Sequence, residues 1–385
     1  MESIIVDSVY DDSVDVVLSR VIRSGSEYFD ILISNLGSQQ VASVLLKNLR
    51  KSAKLNSLCI KHSCVTYNSD VCLLVQIDKS RPCIIESRIL SDECLDLFND
   101  VFKENKKKAF WDWKYRGYCR SSSVAVIHKS ELVAHNGLLE RKFIFAGVDY
   151  LAMQSCDVMI KPSARKFYAS SLLNDMVDKI VAIANKNRIL MAYGFPHKRH
   201  MDMGLRLNLY QDKGDIISYV VSCSKGSENT LSACKDITFD DCVITEALRK
   251  FETSLASIGG SYFLRDFDYF KWRYLKHPCN NYRFILSEIN DVIFVVKQSG
   301  NSWHIMEYIG DISNFSQSMN HISGIAASNS IGNLYGWLNE DFFYLFDGVD
   351  NVTVSSDRLK FATIFPGKPA DIGSVWVSLG DTDFM

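Results

Sequence analysis

Ser121 to Pro162 reads SSSVAVIHKSELVAHNGLLERKFIFAGVDYLAMQSCDVMIKP. Three strand-length apolar runs are divided by polar turns at Lys129-Ser130-Glu131 and Ala146-Gly147, which is the pattern of an antiparallel meander. Downstream, from Ala169 to Asn187, the residues Leu172, Leu173, Met176, Val177, Ile180, Val181 and Ala184 share one stripe at helical spacing, so a buried helix follows the third strand. The run RILMAYGFP then gives another strand. Strand, strand, strand, loop, helix, strand is an α+β order with a mixed sheet. Its helix N-terminus meets the end of a strand, where backbone N–H groups and the helix dipole favour a phosphate.

Working upstream, a helix is expected after Ser91, where Cys94, Leu97, Phe98, Val101 and Phe102 recur at helical spacing and Lys106-Lys107-Lys108 closes it with cations. Before that, strand-like runs (DILIS, LCIK) flank an amphipathic helix over Val41–Ala53, a small α+β unit. Working downstream, FWDWKYRGYCRSSSVAVIHKSELVAHN from Phe110 can be laid without a gap on YFKWRYLKHPCNNYRFILSEINDVIFV from Tyr269. Trp113-Lys114-Tyr115 falls on Trp272-Arg273-Tyr274, so an aromatic, cation, aromatic cluster precedes a strand, a turn and a strand in both copies. Two related units are inferred. The expected organisation is an N-terminal extension over 1–85, a first domain over 86–260 and a second over 261–385.

Composition narrows the function classes. The 385 residues are 47% hydrophobic and carry 43 Lys+Arg against 45 Asp+Glu, a core-forming chain with no global basic field to attract nucleic acid. Six prolines and the lack of a Gly/Ser tract argue for packed domains. The eleven cysteines include no C-x-x-C pair, so neither a disulfide framework nor a zinc ribbon is expected. The stretch MESIIVDSVYDDSVDVV carries acids where a secretory signal needs bases, and no apolar run approaches a membrane span of roughly 18 residues. A cytoplasmic protein without membrane insertion is expected.

Several stretches together resemble the GCN5-related N-acetyltransferase (GNAT) superfamily, in particular its bacterial tandem-domain branch linked to surface-polysaccharide biosynthesis. They are the F-x-W-K-Y opening, the strand QSCDVMI running into KPSARKFYA, the following helix, the strand ILMAYGFPH and the closing WVSLGDTDF. The resemblance covers roughly Glu86–Leu209 and, more loosely, Tyr269–Met385. It implies tandem GNAT-like domains and an acyl-coenzyme A donor, acetyl or longer. The pyrophosphate would rest on amides of a loop, here Arg165, Lys166, Phe167, Tyr168, Ala169 and Ser170, with Met159 and Ile160 pairing with the pantetheine. The family's loop carries glycines where this chain has Lys166 and Tyr168, a departure that crowds the seat.

Acyl transfer to an amine needs a base, a polarised carbonyl and a proton for the departing thiolate, and no metal. Asp157, on the third meander strand, is the first choice of base, and a carboxylate in a turn or ion pair is its other reading. His197 is the second choice, because an imidazole titrates near neutrality. Tyr193 or Tyr210 is left to supply the proton. Asp381 and Asp383 lack the further oxygen ligands of a hard-cation site. The second unit has Gly310 and Asp311 where a phosphate loop would want cations, so it is read as a structural wall of the acceptor cleft.

The resemblance implies an N-acyltransferase acting on a small amine, such as an amino sugar or a nucleotide-linked amino sugar. Two other functions stay open: a binding module of the same fold without coenzyme A, and an aminoacyl transferase of the Fem type. Acyl length, acceptor and oligomeric state are not set by the sequence.

Overall fold

A computed structural model describes residues 2–6, 28–33, 59–67, 70–78, 83–86, 91–128, 131–224, 234–236, 241–287 and 291–382. The helix expected over Val41–Ala53 lies outside the described residues. The chain divides into two compact units, one of 1–107, 122–138 and 157–183, the other of 108–121, 139–156 and 184–385. These units cut across the expected boundaries at 85 and 260.

In the first unit, β1 (Glu2–Val6) runs parallel to β2 (Tyr28–Ile33), and β3 (Cys59–Tyr67) and β2 both lie antiparallel to β4 (Asp70–Asp78). The strand-like runs from Asp30 and from Cys59 fall on β2 and β3. Next, β5 (Cys83–Glu86) pairs antiparallel with β6 (Ser121–His128). Helix α1 (Ser91–Phe102) buries Cys94, Leu97 and Phe98, as its spacing predicts. It stops at Phe102 because Lys103 turns to a φ of 58°. Asn99 then closes the loop, accepting from the Lys106 N–H at 2.8 Å and donating to the Lys106 carbonyl at 3.1 Å. The three lysines expected to cap α1 therefore lie past its end, and Lys108 opens α2 (Lys108–Arg116) of the second unit.

β7 (Glu131–Phe145) and β8 (Val148–Ile160) complete the meander with the Ala146-Gly147 turn read from sequence, the expected turn at Lys129-Ser130 lies outside the described residues, and each strand contributes residues to both units. The helix that follows, α3 (Pro162–Lys186), begins at Pro162 and not at Ala169. Proline suits a first helical position because its φ is already helical and it has no N–H to leave unpaired. The Lys161 carbonyl accepts from the N–H groups of Ala164 at 2.9 Å and Arg165 at 3.2 Å. Leu172, Leu173, Met176, Val177 and Ile180 are buried along the expected stripe.

The second unit continues with β9 (Met191–Gly194), α4 (Lys198–Arg206), β10 (Gln211–Ser222), β11 (Cys234–Asp236), α5 (Asp241–Ser257) and β12 (Ser261–Phe263). A short α6 (Phe267–Phe270) passes into a π turn over Lys271–Leu275. Then come β13 (Arg283–Ser287), β14 (Val292–Ser299), β15 (Ser302–Ile309), α7 (Phe315–Ser328), β16 (Asn333–Asn339), β17 (Val352–Ile364) and β18 (Val375–Trp376). Its strands follow the order β11-β13-β14-β15-β16-β10-β17-β9-β8-β7-β12-β18, a mixed sheet. Among the described residues no helix is long and apolar enough to cross a membrane.

Two crossovers of the same kind occur in the structure. β8, α3 and β9 form a crossover whose strands pair in parallel at Ala152–Gln154 with Met191–Tyr193. β15, α7 and β16 do the same at Ser302–His304 with Asn333–Tyr335. Ahead of them, the matched tryptophans meet. Trp113 and Trp272 stack with ring centroids 5.1 Å apart and planes 16° from parallel. Each indole N–H donates to the other residue's carbonyl at 2.7 Å. Gly117 makes this approach possible, since a Cβ there would stand 2.4 Å from the Trp113 carbonyl oxygen and 2.5 Å from Trp272 Cδ1.

Gly117→Ala is expected to destabilise the protein by about 1–3 kcal/mol through overpacking, and Trp272→Ala by about 3–5 kcal/mol through the cavity left. Urea midpoints of the three proteins check both values.

Candidate functional site

The strand end and helix start of the first unit hold most of the residues expected to bind the donor. Asp157 sits near the end of β8 with a φ of 47°, a conformation rare inside a strand and better tolerated by Asp than by most residues. Its side chain is buried, and its carbonyl oxygen lies 3.2 Å from Nδ1 of buried His135. Met159 is fully buried. The Ile160 carbonyl accepts from Arg165 Nε at 2.9 Å. The Lys161 N–H bonds to the Val133 carbonyl at 2.8 Å, and the Lys161 ammonium pairs with Glu131.

Arg165 to Ser170 do not form the loop expected from sequence. All six belong to α3, where a peptide N–H is spent on the carbonyl one turn back, as the Arg165 N–H is on Lys161. In the first turn of α3, Pro162 carries no N–H and the Ala164 and Arg165 N–H groups are bonded to the Lys161 carbonyl.

The second unit holds the remaining expected residues. Tyr193 is 1% exposed, and its ring stacks on Phe263 at 4.2 Å and meets Phe195 and Phe361 edge-on. Its hydroxyl has no hydrogen-bond partner, and burial pushes its pKa well above the ordinary tyrosine value. Tyr193 is thus a core residue with an enclosed, protonated hydroxyl. His197 is exposed and precedes α4. His200, one turn on, is half-buried with Nε2 2.9 Å from the Tyr210 hydroxyl, and burial, then the neighbouring His197, lowers its pKa.

This unit also contains a cleft that the sequence reading did not assign. Phe110, Trp113 and Trp272 supply its apolar walls, and Lys114, Arg141 and Arg273 supply cations, each no more than 4% exposed. Gln154, the last β8 residue paired with β9, also lines it and donates to the Asp381 carbonyl at 2.7 Å. The Arg273 guanidinium donates to the carbonyls of Thr382 at 2.9 Å and Gly380 at 3.2 Å.

Behind the cleft stands a buried ionic network. Arg265 Nε donates to Glu307 at 2.8 Å, its Nη2 pairs with Asp381, and Arg141 Nη2 reaches Asp381 at 3.4 Å. Burial alone would lower the Arg265 pKa, but Asp381 and Glu307 hold it above its ordinary value. The Tyr274 hydroxyl donates to Glu307 at 2.8 Å, and the Tyr269 hydroxyl donates to the Gly380 carbonyl at 2.9 Å. Gly380 admits this crowding, because a Cβ would fall 2.2 Å from both Glu307 Oε1 and the Tyr274 hydroxyl.

Residues 90–204 match the family model of the acetyltransferase (GNAT) domain. That stretch is similar to acetyltransferase (GNAT) domains, which supports an acyltransferase enzyme. Solved structures share the fold. One is a conserved protein of Enterococcus faecalis V583 described as a probable N-acyltransferase, with a TM-score of 0.55 and 12% identity over 74% of this chain and 73% of that one. A GCN5-related N-acetyltransferase from Kribbella flavida gives 0.53 and 13% over 74% and 71%. Another from Anabaena variabilis ATCC 29413 gives 0.52 and 10% over 74% and 73%. No curated protein sequence matches the chain.

Lys114 and Arg273 were visible in sequence as the cations of the two matched triplets, and their spacing was the available signal. Arg141, Arg265, Glu307 and Asp381 carried no local signal.

Asp381→Asn is expected to cost about 3–5 kcal/mol by leaving buried arginines without their carboxylate, measured as the loss in unfolding free energy in urea. His200 gives a pH dependence. Its folded pKa lies below 6.5, so its contribution is complete above that value and is lost as the pH falls through 6.5 toward the lowered pKa, where the unfolded chain takes up the proton first. Urea midpoints from pH 7.5 to 5.5 should therefore fall less steeply in His200→Gln than in the parent.

Proposed function

We propose that the protein transfers an acyl group, acetyl in the first instance, from coenzyme A to the amine of a small acceptor such as an amino sugar of surface-glycan assembly. The observation that carries this reading is the crossover β8-α3-β9 inside the matched GNAT domain. Its parallel pairing stops at Gln154 and Tyr193 while β8 runs on to Ile160, leaving that strand's backbone to serve a ligand.

In this reading Met159 and Ile160 meet the pantetheine amides, and the pyrophosphate lies beyond the N-terminus of α3, drawn by the helix dipole rather than by a nest of free amides. Lys166, Phe167, Tyr168, Ala169 and Ser170 follow within that helix. A long helix presents partial positive charge at its N-terminus, which suits two linked phosphates. The acceptor nitrogen bonds to the acyl carbon, the carbon–sulfur bond breaks, the ammonium proton passes to a base and the thiolate takes a proton. Asp157 is assigned the base; Tyr193, a core residue with an enclosed hydroxyl, is not assigned the acid. Residues 261–385 are read as a second GNAT-like domain, and Trp272 and Arg273 line a cleft within their own unit.

Calorimetry with acetyl-coenzyme A and a thiol-release assay over a panel of amines test the reading. Saturable binding is expected, together with amine-dependent thiol release that Asp157→Asn lowers by about 10²–10⁴ in kcat. Absence of both binding and release, with acetyl and longer acyl donors alike, would overturn it.

A further inference from the structure

Asp157 keeps a strained backbone. Seven of the eight described non-glycine residues with positive φ stand in turns, and Asp157 alone lies inside a strand. Such a conformation persists only where its surroundings hold it, and it concentrates at functional sites. The holder here is on the neighbouring strand. His135 of β7 is 1% exposed, and its Nδ1 lies 3.2 Å from the Asp157 carbonyl oxygen. A carbonyl oxygen only accepts, so this bond needs the proton on Nδ1.

The carboxylate of the same residue is directed elsewhere. Burial first, then the charges of Glu93 and Asp157, push the Cys94 thiol up, which puts the Asp157 carboxylate near α1. The carbonyl carbon and Cβ are bonded to one Cα, so pinning the carbonyl on β7 limits where the side chain can point. The strand beyond is tied separately, because the Lys161 N–H bonds to the Val133 carbonyl, also of β7, at 2.8 Å. The two ties bracket Met159 and Ile160. All of these residues belong to the first unit.

Resting on the acyltransferase reading and its assignment of the base, we infer that His135 is a positioning residue for the reaction: its Nδ1–H holds the Asp157 backbone in the left-handed conformation and so aims the carboxylate at the acceptor amine. His135 acts through Asp157 and takes no proton from the substrate itself. Donor binding is secured by the tie between Lys161 and Val133 and does not depend on His135. The arrangement works only with the proton on Nδ1, since a bare Nδ1 would turn one lone pair toward another.

Thiol release from acetyl-coenzyme A, with glucosamine or whichever amine of the panel the parent turns over fastest, is compared for the parent, His135→Leu, His135→Asn, Asp157→Asn and the double variant His135→Leu/Asp157→Asn. Calorimetry follows acetyl-coenzyme A binding to each. His135→Leu is expected to lower kcat by about 10² while the affinity for acetyl-coenzyme A is kept. His135→Asn, whose amide can donate to the same carbonyl, should recover most of that loss. Once Asp157 is Asn, the His135→Leu change should cost little more, because a residue that acts through another has nothing left to aim. Nitrogen NMR of the parent with isotope-labelled histidine, His135→Asn identifying the resonance, should show the proton on Nδ1, and this measurement needs neither turnover nor a folded His135→Leu. A parental kcat in His135→Leu, full additivity of the two losses, or the proton on Nε2 would each overturn the inference while turnover by the parent still supported the function. No thiol release from the parent with any acyl donor or amine would overturn the function and the positioning role with it.

Discussion

A carboxylate taken out of water must find cations or lose its charge, and Asp381 finds two of them far back in the chain. It pairs with Arg265 and Arg141 at sequence separations of 116 and 240 residues while being fully buried. Around that pairing the segment from Ser378 to Thr382 is fixed by donors from Gln154, Tyr269 and Arg273 to its carbonyls, and the Ser378 hydroxyl donates to Glu307 at 2.8 Å. The floor and one side of the cleft follow from this arrangement. Apolar contacts could fill the same space, but they would not dictate which way the guanidinium groups turn.

The tryptophan pair plays a complementary part. Two matched triplets, Trp113-Lys114-Tyr115 and Trp272-Arg273-Tyr274, come together through a stack closed by two equal hydrogen bonds. The ring faces pack on each other, and the cation next to each ring lines the cleft. Neighbours in the same short motif thus play different parts, the tryptophans packing on each other and the cations lining the cleft.

Much of this was legible in the sequence, for local reasons. The meander was readable because strand alternation and its turns lie within a few residues of each other, and the stripe from Leu172 to Ile180 because helical periodicity is local too. The start of α3 was misplaced although Pro162 marks it, since the family's glycine loop suggested an irregular stretch where Arg165 to Ser170 are helical. Tyr193 was a choice of proton donor on sequence, but Phe263 and Phe361, from distant strands, enclose it. The ionic network could not be read at all, because nothing near Arg141 or Arg265 in the chain announces Asp381.

The distance between Arg141 and Asp381 also has a temporal meaning. A ribosome adds about 5–20 residues per second, so Arg141 leaves the tunnel on the order of ten to fifty seconds before the acid that neutralises it exists. Throughout that interval the nascent second unit holds guanidinium groups that it cannot bury. Burial of those guanidinium groups is therefore deferred until after Asp381 has been made, and until then water keeps them solvated.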